Sequence, residues 1–207
     1  CPHISGEARE KLVEASTPPI VPVTIGTGEN ALKIGGETVM FRHEKRFENP
    51  PGLAIIISDK MSDAEVDARL KKVDYLIYER VGVTLRANLV ALKCETGDAD
   101  KFAALAAKVK AAGDVNIILM SDKTDVLAAG AKACRERRPL LYAATKDNAD
   151  AIASLAKETG CPVAARASNL EELAALTTKL AAAGIREIVI DPGSRGVRKA
   201  LEDQVII

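Results

Sequence analysis

The sequence predicts an α/β fold made of successive parallel βα units, and three features lead to this. From Gly52 onward, a short apolar run is followed by a polar or glycine break and then by an amphipathic, alanine-rich segment, and this order repeats six times. The apolar runs are hydrophobic at nearly every position, which is typical of strands buried on both faces of a parallel sheet. With 207 residues, of which 47% are hydrophobic, the chain can bury one large core.

Six strands are predicted from the apolar runs. Each run is short, rich in Ile, Val and Leu, and bounded by polar residues or glycine, as expected of strands rather than helices. The predicted strands are Leu53–Ser58, Leu89–Lys93, Asn116–Met120, Leu140–Ala144, Pro162–Arg166 and Glu187–Ile190. Because segments of helical length join them, the strands are expected to run parallel.

The segments between the strands carry the start and stop patterns of helices. Ser62–Glu65 and Ser168–Glu171 both fit a capping box, in which the serine oxygen and the glutamate carboxylate satisfy amide protons at the helix start. Gly113, Gly160 and Gly184 follow alanine-rich stretches, so we expect a left-handed glycine to end each of these helices.

Successive βα units can form either an open, doubly wound sheet or a closed eight-stranded barrel. An open nucleotide-binding sheet usually has a glycine-rich phosphate loop after its first strand, but ISDKMSDAE, at the end of the first predicted strand, contains no glycine. We therefore predict a TIM-type (β/α)8 barrel, truncated here to about six units. The apolar ending QVII is predicted to begin a seventh strand, which would place the end of the sequence inside the domain.

A β-hairpin is predicted before the first unit. The stretch VPVTIGTGENALKIGGETVMFRHE alternates like two or three strands separated by glycine turns. Gly26 and Gly28 form a Gly-x-Gly pattern, but no helix follows it, so a hairpin is favoured over a dinucleotide-binding loop. We expect the hairpin to plug or flank the N-terminal end of the barrel.

Composition and charge argue against several classes of partner. Lys plus Arg and Asp plus Glu each total 29, so no net charge attracts nucleic acid or an anionic membrane. No apolar stretch approaches the roughly 20 residues that cross a bilayer, and no signal-peptide pattern is present, which predicts a cytoplasmic protein. The four cysteines, Cys1, Cys94, Cys134 and Cys161, are far apart, so neither a zinc site nor a disulfide framework is indicated.

Three aspartates follow or end predicted strands, where the reactive groups of a barrel lie. Asp59, Asp122 and Asp191 could converge on one mouth and hydrogen-bond a ligand's amide or amino groups, or bind a metal. Each aspartate also fits an ordinary role as a cap of the following helix, and that interpretation is favoured for each.

The stretch VIDPGSRGVRKALED suggests a second candidate feature. Two glycines would let the backbone approach a ligand, and three basic residues lie where a helix starts, namely Gly193 and Gly196 with Arg195, Arg198 and Lys199. This arrangement is a plausible anion cradle. It is loosely similar to the Asp-Pro-Gly motif of the pterin-binding barrels, which include dihydropteroate synthase, but the later spacing differs and the aromatic is missing. We interpret it as a relic of common ancestry.

Two stretches closely resemble one known family. ETVMFRHEKRFENPPGLAIIISDKMSDAEVDARLKKV and YERVGVTLRANLVALK are similar to the large (gamma) subunit of the corrinoid iron–sulfur protein of the acetyl-CoA pathway. The resemblance covers essentially residues 18–207, and FRHEKRFENP followed by ISDK is its most specific part. Members have an N-terminal [4Fe-4S] domain, a central TIM-type barrel and a C-terminal cobalamin-binding domain, of which this chain corresponds to the barrel.

The resemblance implies a division of the chain and a role for its first residue. In the family, the last cluster ligand lies in a Cys-Pro dipeptide, which Cys1-Pro2 matches, so Cys1 would be the fourth [4Fe-4S] ligand. Residues 1–22 would be the tail of the [4Fe-4S] domain and a linker, 23–51 the hairpin leading into the barrel, and 52–207 the barrel units. This chain alone is expected to bind neither the cluster nor cobalamin fully.

The function implied by the resemblance is that of a methyl carrier. The intact subunit would take a methyl group from a methyltetrahydropterin methyltransferase onto cobalamin and pass it to acetyl-CoA synthase. The barrel would pair with the small subunit in a heterodimer and anchor the mobile domains, without catalysis of its own. The alternative is a pterin-binding barrel methyltransferase, or a related barrel enzyme, that uses Asp59, Asp122 and Asp191.

Overall fold

The computed structural model describes residues 6–16, 20–38, 46–47, 49 and 51–207, which contain twelve strands and seven helices. The strands are β1 (Val23–Ile25), β2 (Leu32–Ile34), β3 (Glu37–Thr38), β4 (Arg46–Phe47), β5 (Ala54–Ser58), β6 (Ile77–Arg80), β7 (Val83–Arg86), β8 (Leu89–Lys93), β9 (Asn116–Met120), β10 (Leu140–Ala144), β11 (Val163–Arg166) and β12 (Ile188–Asp191). The helices are α1 (Glu7–Ser16), α2 (Asp63–Tyr75), α3 (Ala99–Ala112), α4 (Thr124–Ala133), α5 (Ala149–Thr159), α6 (Leu170–Ala182) and α7 (Val197–Ile206).

A six-stranded parallel sheet forms the centre of the described structure. Its strands pair in the order β12-β11-β10-β9-β8-β5, so neighbours in the sheet are also successive βα units. All six predicted strands are confirmed, with bounds that agree to within about one residue. The single direction of winding is that of a barrel wall, whereas a doubly wound sheet would reverse at a switch point. Within the described residues, β5 and β12 do not pair with each other, so the sheet is open between them.

The helix boundaries agree with the predicted patterns at three places and differ at two. Ser62 and Glu65 form the predicted capping box, and Gly160 and Gly184 have positive φ values of 71° and 86° after their helices. The second capping pattern is shifted, because the N-cap of α6 is Asn169, whose side chain accepts from the amide of Glu172. Gly113 ends α3 in an extended conformation with φ 171°, so the predicted left-handed end is wrong there.

The two faces of the sheet bury different clusters. On the helix-covered face, alternate strand residues such as Leu92, Leu119 and Leu141 are fully buried against the helices. On the other face, Leu89 and Leu140 pack with β1 and β2. Burying one such leucine contributes about 1.5–3 kcal/mol, so the sheet and its helices hold most of the apolar stabilisation.

The β1–β2 hairpin lies at the N-terminal ends of the sheet strands. The amide of Gly26 donates to the carbonyl oxygen of Arg138, and the side-chain amide of Asn116 donates to the carbonyl oxygen of Asn30 over 2.8 Å. A Cβ atom on Gly26 would lie 1.8 Å from Asn116 Oδ1, so this glycine permits the close approach. The hairpin therefore flanks this end of the sheet, as predicted.

Two local predictions are corrected by the structure. Residues 204–206 of the apolar ending form the last turn of α7, so no seventh strand begins there. An additional antiparallel hairpin, β6–β7, lies between α2 and β8, where none was predicted. Ile77, Tyr78 and Leu85 of this hairpin lie on the surface, so they gave no separate pattern of a buried strand. No helix in the described part of the chain is long and apolar enough to cross a membrane.

Candidate functional site

Asp59, directly after β5, lies at the C-terminal edge of the sheet and is 3% exposed. Its carboxylate accepts hydrogen bonds from the amides of Glu95 and Thr96, at 2.8 and 3.2 Å, and from the hydroxyl of Thr96 at 2.5 Å. Burial alone would raise the pKa of Asp59, but these hydrogen bonds outweigh it and the pKa is lowered. Asp59 therefore fixes the loop that follows β8.

Glu95, in the same loop, joins the ends of β5 and β8. Its carboxylate accepts from Ser58 Oγ over 2.7 Å and pairs with Lys93 Nζ at 2.6 Å. The contact with Lys93, followed by that with Ser58, lowers the pKa of Glu95. The β5 and β8 ends thus form one polar cluster whose acidic groups are all engaged.

Asp191, the last residue of β12, is the centre of a second polar cluster. Arg195 binds its two carboxylate oxygens, with N–O distances of 3.0 and 2.8 Å, and the amide of Gly193 donates to Oδ1 over 2.9 Å. The Tyr142 hydroxyl donates to Oδ2. The hydrogen bonds from Arg195, the largest influence, hold the pKa of Asp191 well below its ordinary range. The pKa of the Tyr142 phenol is raised, first by burial and then by Asp191.

Gly193 shapes the turn after β12. Its φ is 76°, a conformation that suits glycine, and an added Cβ would lie 2.8 Å from the carbonyl oxygen of Ala167. The glycine thus lets the β12 loop lie directly against the β11 loop, which brings Arg195 back over Asp191.

Asp122 connects to the second cluster through Arg166. Arg166 Nη2 donates to Asp122 Oδ1 over 2.6 Å, and its guanidinium carbon lies 5.7 Å from the centre of the Tyr142 ring. The structure therefore brings Asp122 and Asp191 into one network, in the order Asp122–Arg166–Tyr142–Asp191–Arg195. Asp59 lies apart from this network, in the cluster at β5 and β8.

A cavity of about 570 Å³ opens beside the Asp191 network, at the ends of β10 to β12. Basic and acidic side chains line it together, among them Lys146, Arg166, Arg195 and Glu172. The lining combines charges of both signs with apolar wall, which suits a ligand with both donors and acceptors better than a simple anion.

The basic residues of the predicted anion cradle are engaged within their own segment. Arg195 pairs with Asp191, Arg198 Nε lies 2.9 Å from Glu202, and Lys199 Nζ lies 2.7 Å from Asp203. This arrangement differs from the prediction, because each cation already has a carboxylate partner at i±4. The segment is therefore a helix start whose cations are already paired, rather than an open cluster of cations.

The described residues do not fit an iron–sulfur cluster. Among them, no three His, Cys, Asp or Glu side chains are placed to hold a metal ion. Burial raises the pKa of the Cys134 thiol to about 12 and raises that of Cys161, and the pKa of the Cys94 thiol is also raised by burial. These three cysteines are therefore protonated at neutral pH, whereas a cluster needs thiolates. Cys1, the predicted ligand, lies outside the described residues.

Sequential parallel strands, a helix after each strand and polar clusters at the C-terminal edge define an α/β protein with a singly wound parallel sheet. Solved structures of dihydropteroate synthase from Xanthomonas albilineans have a similar fold. With 4-aminobenzoic acid bound, the TM-score is 0.56 at 14% identity, over 90% of this chain and 70% of that chain. With 7,8-dihydropteroate, the TM-score is 0.51 at 15% identity, over 69% and 60%. At such identities the likeness concerns the fold alone.

The chain belongs to the family described as CO dehydrogenase/acetyl-CoA synthase delta subunit, whose model matches residues 22–206. It is 41% identical, over 203 residues, to the corrinoid/iron-sulfur protein large subunit of Moorella thermoacetica, covering 98% of this chain and 46% of that relative. It is 35% identical, over 195 residues, to the acetyl-CoA decarbonylase/synthase complex subunit gamma of Methanopyrus kandleri, covering 94% and 42%. The chain thus spans about half the length of these relatives, and the predicted family is confirmed.

Proposed function

We propose that this chain is the barrel of a methyl-carrier subunit, a corrinoid iron–sulfur protein of the acetyl-CoA pathway. The intact cytoplasmic protein would take a methyl group from a methyltetrahydropterin methyltransferase and pass it to acetyl-CoA synthase, with the small subunit as its heterodimer partner. The observation that carries the proposal is the 41% identity to a corrinoid/iron-sulfur large subunit over 98% of this chain.

A scaffolding role for the barrel is supported by the state of its acidic residues. Asp59 is buried and accepts hydrogen bonds from the β8 loop, while Asp191 is bound on both oxygens by Arg195. Carboxylates held in this way stabilise loops and are poorly placed to accept a proton from a substrate. The chemistry would therefore belong to the cofactor-binding parts of the intact protein.

The exposed apolar residues at both edges of the sheet support the proposed barrel and its domain bounds, residues 52–207. Leu53, just before β5, is 56% exposed, and Ile56 on β5 is 49% exposed. At the other edge, Val197 and Leu201 of α7 are 87% and 65% exposed. Two further βα units, placed between β12 and β5, would cover both edges and close an eight-stranded barrel.

The methyl-carrier proposal is tested on the full-length protein purified without oxygen. We expect cobalt, iron and acid-labile sulfide in the protein, and transfer of a labelled methyl group from methyltetrahydrofolate or a methanopterin analogue to its cobalt by the methyltransferase. Under the carrier proposal the label then moves on to acetyl-CoA synthase. A colourless protein free of cobalt would contradict the proposal.

Cys1 is proposed as the fourth ligand of the [4Fe-4S] cluster in the full-length protein. Replacing it, Cys1→Ala, should lower the iron and sulfide content, because a cubane cluster needs a thiolate on each iron. Cys94→Ala is the matched control. The Cys94 sulfur already accepts a hydrogen bond from the backbone amide of Gly97, so its loss should leave the iron and sulfide content unchanged. An unchanged iron and sulfide content in Cys1→Ala rejects the ligand role.

The alternative, a pterin-binding barrel enzyme, is favoured by one observation, the cavity beside the Asp191 network. In that case Arg166 and Arg195 would face the ligand, held in place by Asp122 and Asp191, while Asp59 holds the β8 loop. Isothermal titration of the full-length protein with methyltetrahydrofolate distinguishes the two functions. If the wild type binds methyltetrahydrofolate in the micromolar range and Arg166→Ala does not, the alternative is established. If the wild type shows no heat of binding, the alternative is rejected.

A further inference from the structure

We draw no further inference here: the strongest candidate, the exposed apolar surface of the β6–β7 hairpin around Tyr78 and Val81, carries none because nothing in the described part of the chain shows what covers it.

Discussion

Asp59 and Asp191 lie at equivalent places, each at the C-terminal end of a parallel strand, but the chain holds them in different ways. Asp59 is buried and accepts hydrogen bonds from backbone amides of the neighbouring loop. Asp191 is bound by the side chains of Arg195 and Tyr142, and Arg195 in turn lines an open cavity. The first carboxylate mainly binds backbone amides, and the second mainly binds side chains. The same residue type at the same point of a βα unit can therefore stabilise the scaffold or shape a surface, depending on what the next strands supply.

Asp59→Ala should produce the largest loss of stability. The substitution leaves the amides of Glu95 and Thr96 without their acceptor, and a lost hydrogen bond to a buried charged group costs about 1.5–3 kcal/mol. We expect a decrease of about 3 kcal/mol in the free energy of unfolding, measured by urea denaturation. Asp122→Ala is the control and should change stability by less than about 0.5 kcal/mol, because Asp122 is exposed. Equal losses in the two variants would contradict the distinction.

Acid should weaken both clusters, and the direction follows from the lowered pKa values. Asp59 and Asp191 each have a pKa in the folded chain below the ordinary value of 3.8. Their contribution is therefore complete above the unfolded pKa and is lost as the pH falls through the folded pKa. Unfolding followed by circular dichroism should show stability declining below about pH 4. The decline should be shallower in Asp191→Asn, which cannot take up that proton, and a slope equal to the wild type would argue against the shift.

Tyr142→Phe should lower the free energy of unfolding less than Asp59→Ala or acidification does. It removes one hydrogen bond to Asp191 but keeps the ring beneath Arg166. We expect a loss of about 1 kcal/mol, with the remainder of the Asp191 contacts supplied by Arg195 and Gly193. Tyr142→Ala, which also removes the ring, should cost more. If Phe and Ala at this position were equally destabilising, the hydroxyl rather than the ring would dominate the site.

The sequence predicted the sheet because its evidence is local. Each of the six strands contains a short apolar run, and most residues of the four central strands are buried, as expected of a parallel sheet covered on both faces. The Ser62 cap was predicted for the same reason, since a capping box depends on four consecutive residues. The Asn169 cap was missed by one residue, because serine and asparagine stand side by side and only the local backbone selects between them.

The candidate site was predicted less completely. The three aspartates were identified from their positions after strands, but nothing in the sequence indicates that Tyr142 and Arg166 join two of them. Tyr142 lies inside a strand and reads as an ordinary core residue. Its contact with Asp191 spans 49 positions in the sequence, so it depends on the register of β10, β11 and β12. The β6–β7 hairpin was missed because Ile77, Tyr78 and Leu85 are exposed, whereas the pattern from which strands are predicted assumes a buried face.

The six strands of the central sheet, the helices between them and the family to which the chain belongs were predicted from the sequence alone. Periodicity and capping act over a few residues, so they can be read before the chain folds. The joining of Asp122 and Asp191 into one network through Arg166 and Tyr142 was decided only by the tertiary structure. The Tyr142–Asp191 and Arg166–Asp122 contacts span 49 and 44 positions in the chain, and their energies depend on burial and register that no short stretch encodes.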